Sequence, residues 1–177
     1  MAITINGSGS ITGISAGGLP DGSVTAADLA SGAITSGALP SGSVLQVVQG
    51  SLGSAFSTTS ISDQATGLSA TITPSSSSNK ILVMVTSMLR AAGGQCFVYQ
   101  KLWRGAVGST LIHTGYPIVG SLNDSDFRGV GAVTYLDSPL TTSAVTYTVS
   151  INANYATTAY ISSTTEPSTI TLMEIAG

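Results

Sequence analysis

The chain has 177 residues, of which 7% are charged, and a formal net charge of −3. That length suits one ordinary domain plus a short extension, and the five cations (Lys80, Arg90, Lys101, Arg104, Arg128) are too thinly spread to form the basic stripe that nucleic acid demands. Mean hydropathy is +0.40, yet the strongest apolar run, Ile81 to Val85, is far short of the ~20 residues of a spanning helix, so no membrane insertion is expected. The first residues have neither the cationic region nor the apolar core of a secretory signal. The surface is instead built from Ser, Thr, Gly and Asn. Thr, Val, Ile and Tyr favour pleated sheet, the 21 glycines supply turns, and 42% apolar content argues against disorder over most of the length. The expected fold class is all-β. The single cysteine, Cys96, cannot form an internal disulfide, and between Gln95 and Phe97 it reads as an apolar filler in a strand.

Taken in chain order, Ala2 to Gly7 and Gly9 to Ile14 read as two short strands joined by a Gly-Ser turn, with Ile3 and Ile5 alternating with polar neighbours. An apolar strand at a terminus needs a partner, so Ile3, Ile5, Ile11 and Ile14 are the candidate attachment residues. A repeat follows: Leu19-Pro20-Asp21-Gly22-Ser23-Val24, Leu29-Ala30-Ser31-Gly32-Ala33-Ile34 and Leu39-Pro40-Ser41-Gly42-Ser43-Val44. Leu, Gly and a β-branched residue hold their offsets in three copies of ten-residue period. One such unit buries almost nothing alone. Three parallel chains about a common axis would let Leu19, Val24, Leu29, Ile34, Leu39 and Val44 share a core. The competing reading is a flexible Gly/Ser linker, which has no need of regular aliphatic positions.

All aromatics, the one histidine and all five cations come after residue 44, so a core of useful size belongs to residues 45 to 177. Val145, Tyr147, Val149 and Ile151 alternate with Thr146, Thr148, Ser150 and Asn152, which predicts a half-buried strand with its odd residues inward. Leu68, Ala70 and Ile72 predict another, broken by Pro74 and the serines after it. Lys80 to Leu89 is apolar on both faces at first, as a central or interface strand would be. Gln95 to Trp103 and Val130 to Leu136 predict two more. In Ser168 to Ile175, Ile170 and Leu172 lie on one face, Met173 and Ile175 on the other, so this last strand is expected to be covered on both sides. About eight to ten short strands suggest a two-sheet sandwich or jelly roll.

At this point the residues resemble a known group. The start, Ile3-Thr4-Ile5-Asn6-Gly7 with Ile11-Thr12-Gly13-Ile14, resembles the start of many fibre and appendage proteins of tailed phages, notably marine and cyanobacterial ones. Gly42 to Gln49 is similar to their shaft-to-head junction. Gly67 to Pro74, Asn79 to Val83 and Ile170 to Ile175 resemble parts of their C-terminal head. The resemblance implies a parallel homotrimer with a head often like the jelly roll of the tumour necrosis factor family, its last strand near the threefold axis. This chain departs from long tail fibres in having three repeats only, which favours a short head fibre, a decoration protein or a baseplate part.

Candidate chemistry is sparse. Asp124 and Asp126 form an Asp-x-Asp pair that could begin a calcium site but lacks the further carboxylates of an EF-hand loop. No two of the eight acids stand out as a glycosidase pair, and His113 has no recognisable triad around it. Glu174 shares the face of Ile170 and Leu172, so burial against an Arg or Lys of a sister chain is expected. The candidate ligand contacts are Trp103, Tyr116, Asp124, Asp126, Tyr155 and Tyr160, because aromatic faces stack on sugars and anchor interfaces. The resulting expectation is a non-enzymatic virion protein without cofactor or metal, assembled in the host cytoplasm. Residues 1–18 would attach it, residues 19–44 form a short trimeric shaft, and residues 45–177 form an antiparallel β-sandwich head. Its partners would be itself as a homotrimer, other virion proteins and a bacterial surface glycan or protein. The alternatives are a capsid decoration or baseplate protein that stabilises the particle and, with least support, a glycan depolymerase spike.

Overall fold

In the computed structural model the described residues are 4–5, 11–12, 25, 27, 29–31, 34, 38–93, 96–115, 119–121, 126–154 and 158–177. They contain strands and no α-helix, as the composition demands. The chain forms two compact units, residues 1–38 and residues 39–177. In the first unit β1 (Thr4–Ile5) pairs antiparallel with β2 (Ile11–Thr12), Ile5 opposite Ile11, the hairpin anticipated from the Gly-Ser turn.

The second unit holds β3 (Val44–Leu52), β4 (Phe56–Thr58), β5 (Gln64–Ile72), β6 (Lys80–Ala92), β7 (Cys96–Arg104), β8 (Thr110–Thr114), β9 (Val119–Ser121), β10 (Asp126–Asp137), β11 (Val145–Asn154), β12 (Thr158–Ile161) and β13 (Ser168–Ile175). They make two antiparallel sheets in a sandwich-like arrangement. The six-stranded sheet is organised by the 13-residue β6. One edge of β6 pairs with β10 along nearly its whole length, and the other edge is shared by β13 and β12. Beyond these lie β3, on β13, and β4, on β12. The second sheet runs β5-β11-β7-β8, with β9 also on β7.

Alternation explains which side chains meet between the sheets. Ile81, Val83, Val85 and Leu89 of β6 and Ile170 and Leu172 of β13 pack onto Leu68 and Ile72 of β5, Val98 and Leu102 of β7, and Val149 and Ile151 of β11. Each such aliphatic side chain stabilises the fold by about 1.5–3 kcal/mol when fully withdrawn from water. The inward residues of β11 are the odd ones, as the period of two predicts. The even residues are less exposed than expected, and Ser150 is fully buried, because Trp103 covers it.

Two glycines are dictated by geometry. Gly42, in the third repeat copy, takes φ +89° in a turn closed by Ser43 N–H to Pro40 O at 3.1 Å. The same copy is pinned to the C-terminus by Gly42 N–H to Ala176 O at 2.8 Å and Ala176 N–H to Ser43 O at 2.9 Å, so Leu39 to Val44 leads directly into the folded unit. Gly50 of β3 lies where that strand meets β5: a Cβ there would overlap the carbonyl oxygen of Ser69.

Candidate functional site

The outward face of the six-stranded sheet is organised in rows, because residues paired across neighbouring strands share a face. Leu136 of β10 lies opposite Leu82 of β6, Leu82 opposite Met173 of β13, and Met173 opposite Val47 of β3. One apolar row therefore crosses four strands. The next row along is Thr134, Met84, Thr171 and Gln49, then Ala132, Thr86, Thr169 and Ser51, then Val130 beside Met88. No residue in these rows is charged. From Leu82 to Met88 is six residues, or roughly 20 Å at ~3.4 Å each, and four strands at ~4.8 Å are roughly 19 Å wide. Val47, Val130 and Leu136 are each at least half exposed on it, and Leu82, Met84, Met88 and Met173 are partly so. Among the described residues these side chains remain at least partly open to solvent. Uncharged surface of this size with apolar rows at its ends is where proteins meet one another.

At the far end the row changes character. Arg128 of β10 lies opposite Arg90 of β6, and Arg90 opposite Tyr160 of β12. Arg90 Nε donates to Asp126 Oδ1 at 2.7 Å, and its guanidinium carbon sits 4.7 Å from the centroid of the Tyr160 ring. Arg128 Nε is 3.9 Å from the same Asp126 oxygen. The hydrogen bond from Arg90 holds the Asp126 carboxyl below its usual range and raises the guanidinium in turn. Arg90, Arg128 and Tyr160 border a small pocket of about 170 Å³ with Met88 and Glu166. Its rim is held by Ser162, whose φ of 62° is fixed by its N–H to Met88 O at 2.8 Å and by its hydroxyl accepting from Ser168 N–H at 3.2 Å.

The residues singled out from sequence fall as follows. Asp126 and Tyr160, chosen separately, are brought together by Arg90, which the sequence did not point to. Trp103 is 8% exposed and its Nε1–H donates to Ser150 Oγ at 2.8 Å, so its ring is largely covered. Tyr116, Asp124 and Tyr155 lie outside the described residues. Of the repeat, Leu29, Ile34, Leu39 and Val44 are exposed in the single chain, while Leu19 and Val24 lie outside the described residues. Ile5 and Ile11 are the paired residues of the N-terminal hairpin, and Ile3 and Ile14 lie outside the described residues.

Glu174 corrects one expectation. It is fully buried, on the face of Ile170 and Leu172 as read, but its partners are neutral and belong to the same chain. Gln46 Nε2–H donates to Oε2 at 2.6 Å. Ser75 N–H, Ser75 Oγ–H and Asn79 Nδ2–H donate to Oε1 at 2.6, 2.8 and 2.6 Å. Burial alone would raise this carboxyl, and the hydrogen bonds from Asn79, Gln46 and Ser75 outweigh it and bring it below its usual value. No sister chain is needed to satisfy it.

No protein-family model matches this sequence, and a search of curated proteins finds none similar to it.

Proposed function

We propose that this chain is a non-enzymatic structural protein of a bacteriophage particle, a homotrimeric fibre-type appendage that displays its C-terminal sandwich for contact with the host surface. Its first residues would attach to the particle, and the Leu-x-x-Gly repeat would form a short shaft. The observation that carries the reading is the uncovered row Leu136-Leu82-Met173-Val47 with the uncharged face beside it. Packing that face against copies of itself withdraws the row from water, and the two methionines adapt to an imperfectly matched surface. The exposed Leu29, Ile34, Leu39 and Val44 call for the same remedy in the repeat. The virion assignment is supported by the likeness of the chain's start and of its junction and head stretches to phage appendages. Three copies let weak single-site contacts hold through avidity.

Light scattering after size exclusion tests the reading. The full chain should run at about three times its 17.6 kDa. Met173→Glu, which sets a carboxylate in the apolar row, should shift it toward the monomer with the fold intact. A monomeric wild-type chain would overturn the trimer, and labelled antibody that fails to decorate phage particles would overturn the virion role.

A further inference from the structure

The opposite side of the sandwich carries a cleft that the sequence reading did not anticipate. It lies on the outward face of the second sheet, has a volume of about 360 Å³, and is bordered by Tyr99 and Lys101 of β7, Asn152 and Asn154 of β11, Thr114 at the end of β8, and Ile61. That volume falls within the range of small-molecule sites. Ile61 belongs to the β4–β5 connection, which folds over this face. Ser60 O accepts from Ala153 N–H at 2.8 Å, Ile61 O from Asn152 Nδ2–H at 2.9 Å, and Asp63 Oδ2 from Lys101 Nζ at 2.8 Å.

These bonds define what the cleft has to offer. Ile61 O can only accept, so the Asn152 amide is oriented with Nδ2 toward it and Oδ1 away. Asn152 Oδ1 and Asp63 Oδ1 are both shielded from solvent and have no donor among the described residues. Buried acceptors in this condition are uncommon and favour a donor that arrives. Lys101 spends one of its three N–H bonds on Asp63, and Thr114 and Tyr99, whose hydroxyl accepts from Asn154 Nδ2–H at 3.4 Å, belong to the same lining. The lining thus combines an acceptor lacking a donor, on Asn152, with donors to spare, and includes an aromatic ring and Ile61, which is 73% exposed.

We infer that this cleft binds a neutral saccharide. A sugar hydroxyl both donates and accepts, and so answers both halves of the lining. The C–H surface of the ring suits Tyr99 and Ile61. An anionic ligand is disfavoured because Asp63 already neutralises Lys101 and the orphaned atoms are acceptors. A metal cation is disfavoured because the Lys101 ammonium sits on the one carboxylate at hand. Asn152 Oδ1 is shielded in the free chain, so reaching it requires a side-chain adjustment in the lining of the kind binding commonly induces. The cleft lies on the opposite face of the sandwich from the apolar row, so copies packed through that row leave it open. The inference rests on the proposed display of the head only for where the saccharide comes from.

Saturation-transfer NMR on the full chain tests it, with methyl glucoside and methyl galactoside as neutral probes and glucuronic acid as the charged one. Transfer to a neutral glycoside is expected, with a Kd on the order of millimolar. Thr114→Trp fills the cleft from an exposed position and should abolish transfer while leaving the unfolding midpoint unchanged. Asn152→Ala should weaken binding about tenfold. No transfer to either neutral glycoside, transfer to the acid alone, or full binding by Thr114→Trp would each overturn the inference. The mass of the same sample separates this result from the proposed function: a monomer that binds the glycoside overturns the trimer alone, and a trimer that binds nothing overturns the saccharide site alone.

Discussion

Glu174→Gln probes the joint between the last strand, β3 and the turn before β6. In the native chain the carboxylate accepts four hydrogen bonds, from Gln46, twice from Ser75, and from Asn79. A glutamine keeps one acceptor oxygen for Ser75 and Asn79 but turns an amide N–H toward Gln46 Nε2, which is also a donor. Flipping Gln46 cures that clash only by giving up its bond to Thr73 O at 2.8 Å. One charge-assisted bond is lost and the others weaken to neutral strength, so the expected loss is about 2–4 kcal/mol at pH 7. The sign of the pH dependence follows from the direction of the shift. The native carboxyl lies below its unfolded value, so its stabilisation is complete above the unfolded value and fades as pH falls through the native one. The glutamine has no such dependence, and the gap between the two proteins should narrow from pH 7 to pH 3. Urea unfolding at fixed protein concentration measures it, since any assembly makes stability concentration-dependent. A loss under 0.5 kcal/mol at pH 7, or a gap indifferent to pH, would refute this account of the joint.

Gly50→Ala should cost about 3 kcal/mol, because the added methyl meets the Ser69 backbone and β3 or β5 must move; a denaturation midpoint equal to the wild type would contradict the contact. Tyr147→Phe removes the donor that the buried Asp137 Oδ2 receives at 2.7 Å and should cost about 1–2 kcal/mol. Tyr147 itself, raised by burial and then by its bond to Asp137, should show no phenolate absorbance below the pH at which the fold is lost. Between the sheets, Gln100 Nε2–H donates to Ser87 Oγ at 3.0 Å while Gln100 Oε1 lacks a partner among the described residues. Replacing both, Ser87→Ala with Gln100→Leu, should raise stability by about 1 kcal/mol, whereas Ser87→Ala alone should lower it. Thermal melts of the single and double variants distinguish the two outcomes.

Much of the strand content could be read from local pattern. The alternation of Val145 to Asn152, the run Leu68 to Ile72 and the two-faced apolarity of Ile170 to Ile175 each specify a strand and its inward residues, because the side-chain period of two is a property of the backbone alone. The same arithmetic placed Glu174 on the inward face of β13. It also flagged Met173 and Ile175 as facing something other than the sandwich core.

Pairing decided the rest. Arg90 and Asp126 are 36 residues apart and Arg90 and Tyr160 are 70, and only the registers of β6 with β10 and with β12 set them side by side. The row Leu136-Leu82-Met173-Val47 draws on four separate stretches in the same way, and the cleft needs the β4–β5 connection folded onto β7 and β11. Trp103 illustrates the converse: chosen as a candidate ligand contact, it is largely covered, and its acceptor, Ser150, lies 47 residues on. Sequence by itself determined the all-β class and, for β5, β11 and β13, the strand and its inward face, because these follow from periodicity within a few residues. The partners of Glu174, the Arg90 cluster, the apolar row and the cleft were decided by tertiary structure, because strand register is a relation between distant segments set by packing over the whole core.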